Sequence, residues 1–290
     1  MKEKSKIKIN LKKTQETLCL CLWARATESK RPNTIFKDVN AEKFIDKIDY
    51  DWDKIEKNYK DECNRIALVS RAKTFDFIIK EFISSHPKAT IVNIGAGLDS
   101  TFSRVDNGFI TWYDLDLPDV IKLRKKLIKE SNRVKFIAKS VFDFSWFDEI
   151  EFNHEEGILF VAGGLYYYFK KEDVKKLFLA LASNFPGGEH IFDALSKSTT
   201  KLSGRLVRKT INEKSKMYFS LNSPKVLEKW DSRINIVKDI PYYKYIPRDH
   251  SLKKRTLLKM YLCDRLGFAK YIHLQFKPTY NEDKSKPDMP

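Results

Sequence analysis

Thr90-Ile-Val-Asn-Ile-Gly-Ala-Gly-Leu-Asp99, followed by Ile110-Thr-Trp-Tyr-Asp-Leu-Asp-Leu-Pro118, is the stretch that decides the fold. An apolar, β-branched run ends in Gly95-Ala96-Gly97, and a second apolar run ends in acid. That is the pattern of a buried strand, a tight turn and a neighbouring strand. Gly95 and Gly97 let the backbone bend sharply and approach a ligand where a Cβ would intrude. Asp116 lies nineteen residues beyond Gly97, where an acid at the tip of the second strand accepts ribose hydroxyls. The expectation is a nucleoside-containing cofactor in a doubly wound α/β domain. A dinucleotide fingerprint would carry Gly or Ala at position 100, but Ser100 stands there. Asp99 also puts negative charge where a pyrophosphate needs N–H groups and the positive end of a helix. Both residues favour a phosphate-free cofactor, S-adenosylmethionine, over NAD or ATP.

The whole chain bounds this reading. Its 290 residues suffice for one large core, or for one core with a lid. An apolar fraction of 42% describes a folded protein, yet no run of eighteen apolar residues occurs, so no membrane insertion is expected. Leu18-Cys-Leu-Cys-Leu-Trp23 is too short, and too soon followed by charge, for a signal peptide, which leaves a cytoplasmic location as the expectation. Cys19, Cys21, Cys63 and Cys263 form neither a CxxC pair nor a Cys/His zinc spacing. Reduced thiols and no metal site follow. The net charge of +16 comes from lysine spread along the whole chain, with no basic run joined to a nucleic-acid-binding module. A nucleic-acid partner is therefore not expected.

Along the chain, residues 1–13 read as a disordered basic N-terminus. The spacing Leu18, Cys21, Leu22, Arg25 predicts a helix over 14–27 with one buried face. Further helices are expected over 41–48 and 64–84, the latter with Ile66, Val69, Phe75, Phe77, Ile78 and Phe82 inward. Residues 14–88 thus form a helical cap. From 89 to 277 the pattern alternates, with strands at 90–95, 110–115, 134–138, 157–162, 188–193, 233–238 and 270–277. Helices fit 99–105, 118–130, 171–184 and 252–265, with Pro118 in a first turn. Ser223 reads as an N-cap with Pro224 at the first helical position. Seven strands with a final pair linked late are the doubly wound, mostly parallel, Rossmann-like sheet of class I methyltransferases. A substrate lid is expected to insert around 200–265, and 278–290 reads as a disordered tail.

Several segments resemble the leucine carboxyl methyltransferase-like family, and more closely its bacterial branch of polyketide-type O-methyltransferases. They are Trp23-Ala-Arg-Ala-Thr-Glu-Ser29, Leu68-Val-Ser-Arg-Ala-Lys-Thr-Phe-Asp76, Val92-Asn-Ile-Gly-Ala-Gly-Leu-Asp-Ser-Thr101, Trp112-Tyr-Asp-Leu-Asp-Leu-Pro118, Ser140-Val-Phe-Asp-Phe-Ser-Trp146 and Val161-Ala-Gly-Gly-Leu-Tyr-Tyr167 with Tyr168. The resemblance runs from about residue 14 to 195 and implies bound S-adenosyl-L-methionine. It implies that Arg71 and Arg25 hold the cofactor's carboxylate, a duty that suits the bidentate guanidinium. It further implies that Gly95, Ala96, Gly97 and Gly163 line the methionine and ribose portion, that Asp116 accepts both ribose hydroxyls, and that Ser140 and Val141 frame adenine. Asp114 is the weaker candidate on the same strand face. Asp143 reads as a structural cap and His190 as a structural histidine.

Two departures bear on the acceptor. Where family members that methylate a C-terminal leucine carboxylate carry an arginine, this chain has Phe142, and Gly163 replaces a common glutamate. Phe142, Trp146, Tyr166, Tyr167 and Tyr168 would instead wall an aromatic pocket for a small apolar or aromatic acceptor, with one or two of the three tyrosines facing the cavity and the rest in the core. Tyr168 is the candidate for orienting the acceptor oxygen. Methyl transfer needs chiefly alignment and exclusion of water, so no general base is named. The expected activity is O-methyl transfer to a hydroxyl or carboxyl oxygen of a small molecule such as a polyketide-like metabolite. The alternatives are carboxyl methylation of a protein or peptide, and a non-catalytic cofactor-binding protein of the same fold. The oligomeric state stays open.

Overall fold

The computed structural model describes residues 6–9, 17–210, 216–249 and 251–278. The first half contains β1 (Ile7–Lys8), α1 (Thr17–Ser29), α2 (Val39–Lys47), β2 (Ile48–Asp49), α3 (Trp52–Tyr59), α4 (Glu62–Ser85), β3 (Thr90–Ile94), α5 (Phe102–Val105) and β4 (Thr111–Asp116). The rest contains α6 (Pro118–Arg124), β5 (Val134–Ala138), β6 (Ile158–Ala162), α7 (Lys171–Asn184), β7 (Glu189–Leu195), α8 (Lys197–Thr210), α9 (Lys225–Glu228), β8 (Ile234–Pro241), α10 (Lys254–Leu266) and β9 (Ala269–Phe276). Short 3-10 turns cover Phe144–Glu149 and Tyr166–Tyr168.

Seven strands form one sheet in the order β5-β4-β3-β6-β7-β9-β8. The first five lie parallel, while β9 runs antiparallel to both β7 and β8. β3 and β6 are buried along their whole length, as apolar runs covered on both faces must be. The order reverses at β3, which pairs with β4 on one side and β6 on the other, so a crevice opens beyond their carboxyl ends. Gly95 follows β3 and Gly163 follows β6, and both glycine turns fall at that crevice.

Helices cover both faces. α7 packs Val174, Leu177, Phe178 and Leu181 on one, and α4 packs Ile66, Ile78, Ile79 and Phe82 on the other. Three successive helices begin at an aspartate whose carboxylate takes a backbone N–H: Asp38 to Ala41 at 2.9 Å, Asp51 to Lys54 at 3.1 Å and Asp61 to Cys63 at 2.9 Å. Each such cap contributes about 1 kcal/mol. α10 stops at Gly267 in the left-handed region, φ +61°.

The structure corrects several expectations. Ile7 and Lys8, placed in a disordered segment, pair in parallel with Ile48 and Asp49. Residues 1–5 and 10–13, and the tail from 279, lie outside the described residues. α1 is buried on nearly every side rather than on one face, because α2, α3 and α4 all pack around it. Leu18 and Cys21, expected inside, are among its half-buried residues. Phe77 is 46% exposed and stacks on Tyr245 at 4.1 Å, since the inward stripe runs through Phe75, Ile78 and Phe82. Pro224 occupies the cap of α9 itself, so Ser223 makes no side-chain cap there. The strand expected at 233–238 is present as Ile234–Pro241 in the main sheet, and residues 211–215 and 250 of the segment expected to hold a lid lie outside the described residues. α3 and α8 were not legible in the sequence pattern.

Candidate active site

Gly95 and Gly97 hold φ values of +69° and +50°, a region that an L side chain enters only with strain. The turn between them is fastened on both sides. Gly95 and Ala96 donate their N–H groups to Leu115 O at 2.8 and 3.2 Å, which ties the turn to β4. Gly97 donates to Asp116 Oδ2 at 2.8 Å, and Leu117 donates to Oδ1 at 2.7 Å. Each Asp116 oxygen therefore has a backbone donor and retains an acceptor site. Desolvation pushes this half-buried carboxyl up to about 6, against the pull of the two N–H groups. From behind, Arg124 donates to the carbonyls of Gly97 and Asp99, both at 2.9 Å.

Asp114 is occupied otherwise than proposed. It forms an ion pair with Arg124 and accepts from Trp112 Nε1 and Asn93 Nδ2, both at 2.9 Å. It is 1% exposed, so it holds the glycine turn from below and offers nothing to a ribose.

In front of the turn lies a cavity of about 650 Å³, open mouth included, with Arg25, Arg71, Gly95, Ala96, Gly97, Asp99 and Gly163 among its walls. Two arginines reach it from the helical cap. Arg25 on α1 is buried, donating from Nε to Asp38 at 3.0 Å and from Nη2 to Leu98 O at 2.7 Å. Asp38 also accepts from Ser100 and, at 2.8 Å, from Arg104. Burial opposes its ionisation, but the two guanidiniums outweigh this and hold its carboxyl below the usual range.

Arg71 on α4 is half-buried. Its Nε is 2.9 Å from Asp193 Oδ2 on β7, and its Nη2 donates to Tyr167 OH at 3.2 Å. Asp193 accepts from Gly164 N at 2.7 Å and from Tyr167 OH. Burial disfavours the charged guanidinium, but Asp193 together with Tyr167, Tyr242 and Cys21 outweighs it and holds Arg71 above its usual range. The path of this side chain explains the paired glycines after β6. A Cβ at Gly163 would stand 2.6 Å from the Phe75 ring and 3.0 Å from Arg71 Cδ, and one at Gly164 only 2.3 Å from Arg71 Nη1. Gly164→Ala is accordingly expected to displace Arg71 and weaken S-adenosylhomocysteine binding at least about tenfold, a loss of ~1.4 kcal/mol, measured by isothermal titration. Unchanged affinity would separate Arg71 from the cofactor.

The aromatic pocket is largely overturned. Trp146 and Tyr166 are fully buried, Trp146 donating to Val141 O at 3.1 Å and Tyr166 OH lying 2.8 Å from His190 Nε2. Their rings pack among Phe147, Phe160, Phe178 and Phe192. Phe142 stacks edge-on against Phe169 at 4.7 Å, and Tyr167 is bound to Arg71 and Asp193. Only Tyr168 is half-buried beside the cavity's residues, with Thr17, Cys21 and Arg71 around it. Burial pushes its phenol up to about 12. His190 is structural: desolvation brings it down to about 4, with Nδ1 2.9 Å from Phe160 O. Asp143 caps the following 3-10 turn through Ser145 N at 3.3 Å. Ser140 and Val141 stand at the end of β5, beside the Asp116 strand but outside the cavity wall.

Sequence reasoning missed Asp193, Arg124 and Asp38. Asp193 carried a signal, an acid inside the apolar run Ile191-Phe-Asp-Ala194, because a buried charge is paired or functional. Arg124 and Asp38 carried none, since their partners lie far away along the chain.

These residues fit S-adenosyl-L-methionine. Two cations, Arg25 and Arg71, are among the cavity's walls, and a carboxylate needs such partners. Asp99 lies in the same wall, held ionised by Arg25 and Arg104 against the opposing effect of burial, and suits an ammonium. The Asp116 carboxylate at the next strand tip suits a pair of hydroxyls. A sheet of this order with an antiparallel seventh strand, and a glycine turn at its switch point, defines a class I S-adenosylmethionine-dependent methyltransferase. The chain belongs to the leucine carboxyl methyltransferase family, whose model matches residues 19–182, and its cofactor is S-adenosyl-L-methionine. It is 33% identical over 205 residues to the tetracenomycin polyketide synthesis O-methyltransferase TcmP of Streptomyces glaucescens, covering 70% of this chain and 74% of that one. It is 27% identical to the S-adenosyl-L-methionine-dependent methyltransferase dpfgK of Gibberella zeae, over 64% of this chain and 68% of the relative. Among solved structures, a DUF574 family protein of Streptomyces avermitilis superposes with a TM-score of 0.56 at 14% identity, covering 88% of this chain and 97% of its own. At that identity the likeness speaks for the fold alone.

Proposed function

We propose that the chain transfers a methyl group from S-adenosyl-L-methionine to a hydroxyl or carboxyl oxygen of a small molecule, such as a polyketide-like metabolite. The observation that carries this reading is the 33% identity, over 70% of the chain, to a polyketide O-methyltransferase. The charged groups around the cavity support it, because their positions match the needs of the cofactor's two polar ends.

In this reading Arg25 and Arg71 grip the carboxylate, Asp99 takes the ammonium, and Gly95, Ala96, Gly97 and Gly163 allow close approach of backbone. Asp116 accepts the ribose hydroxyls, and Ser140 and Val141 frame adenine. The bound cofactor supplies a methyl already activated by its sulfonium, so the chain has to orient the acceptor and keep water out. A phenol raised to about 12 stays protonated. Tyr168 therefore donates a hydrogen bond that aims the acceptor oxygen and does not remove its proton. A carboxylate acceptor needs no base at neutral pH, and a phenolic acceptor loses its proton to water or ionises beforehand.

The test is transfer of radiolabelled methyl to a panel of phenols, small aromatic acids and peptides ending in leucine. Alkali-stable label on phenols, or alkali-labile label on small acids, is the expected result. Label confined to peptides would replace this reading with protein carboxyl methylation. A chain that binds S-adenosylhomocysteine yet labels nothing across the panel would point to a non-catalytic cofactor-binding role.

A further inference from the structure

Two helices leave their apolar residues in water. α10 exposes Leu258 (58%), Tyr261, Leu262 and Leu266 (58%), and Phe268 follows its end. These positions recur at helical spacing, so they form one stripe. Scattered surface leucines need no explanation, but a contiguous stripe does. α8 exposes Leu202 (68%) and Leu206 on its own outer side. The start of α8 and the end of α10 come together at one end of the sheet, because Leu195 pairs with Ala269 and Ser196 N donates to Phe268 O at 2.9 Å. That is the end of β7 near which Asp193 meets Arg71.

The charges interleaved with these residues are of one sign. Lys197, Lys201 and Arg205 lie exposed on α8, and Lys254, Arg255 and Arg265 on α10. α8 contains no acid at all, and the single acid of α10, Asp264, is paired with Arg248. A chain of net charge +16 supplies no counter-charge overall.

We propose that α8 and α10 form a docking face for an anionic lipid surface. Leucine and aromatic side chains among lysines and arginines, with no exposed acid within either helix and with Asp61 beside α10 paired to Lys259 at 3.8 Å, are what an interfacial helix presents to headgroups and the upper acyl region. A second copy of the chain would bring like charge against like charge, which works against association through this face. Nucleic acid would leave the leucines unburied. Docking would set the cavity end of the sheet beside the lipid, but the inference does not depend on which acceptor the enzyme uses.

The experiment is flotation of the full chain, loaded with S-adenosylhomocysteine, with vesicles of phosphatidylcholine alone and of phosphatidylcholine with phosphatidylglycerol. Binding to the anionic vesicles and not to the neutral ones is expected. Leu258→Ser with Leu262→Ser should weaken it by about tenfold or more. Lys254→Gln with Arg255→Gln should cost about fivefold per charge, with a shallower dependence on salt. All four positions are exposed, so retained S-adenosylhomocysteine binding by the variants verifies their fold. No binding to anionic vesicles, or binding that ignores the leucines, overturns the proposal. So does a dimer in solution that the leucine substitutions dissociate.

Discussion

Asp193→Ala destabilises the fold by about 3–5 kcal/mol and lowers Tm by roughly 10 °C, read by calorimetry on the cofactor-free protein. The reason lies with Arg71. Asp193, itself buried, is the charged partner 2.9 Å from Arg71 Nε and the largest of the groups that offset the cost of burying the guanidinium. Removing the carboxylate leaves a buried, uncompensated charge, and strips Tyr167 OH and Gly164 N of their acceptor. Replacing both partners is far cheaper than breaking the pair. Arg71→Met with Asp193→Ala should therefore recover most of the lost stability while binding S-adenosylhomocysteine no better than Arg71→Met alone. The comparison separates the two duties of the pair, structural tie and cofactor anchor. An Asp193→Ala protein that melts with the parent would show that Arg71 reaches solvent or a different acid.

That pair also marks where the sequence stopped being informative. Strand positions were legible almost to the residue, since β3, β5 and β6 are short apolar runs bounded by polar turns and their burial leaves little choice of register. The glycine turn and Asp116 were legible because spacing between adjacent parallel strands is fixed by one crossover. Long-range partners were not. Arg71 meets Asp193 across 122 residues of chain, and no local pattern states such a pairing. The triple Tyr166-Tyr-Tyr168 shows the same limit. A 3-10 turn after β6 sends three neighbouring rings in three directions: one into the core, one onto Asp193 and one toward the cavity. Sequence position could say that one or two of them face the cavity, but not which. Trp146 failed for a related reason, because the turn capped by Asp143 folds it under β5 rather than over the crevice.

Asp116 carries the largest expected effect on binding. Two ribose hydroxyls on one carboxylate are charge-assisted bonds of about 1.5–3 kcal/mol each, so Asp116→Ala should lose S-adenosylhomocysteine affinity by about a hundredfold or more. The same residue imposes a pH dependence. Burial raises its carboxyl from 3.8 to about 6, so in the ligand-free protein it is protonated below that value and has one acceptor fewer. Affinity should be full above pH 6 and fall by up to about tenfold per unit as the pH drops through it, with proton release on binding in that window. Stability of the ligand-free protein runs the opposite way. A carboxyl raised on folding contributes most below 3.8, and that contribution is lost as the pH rises to about 6. Titration of the parent and of Asp116→Asn between pH 5 and 8 reads both trends, and the asparagine variant should flatten the binding profile. A profile that stays steep without the carboxylate would assign the titration to another group and remove Asp116 from the ribose site.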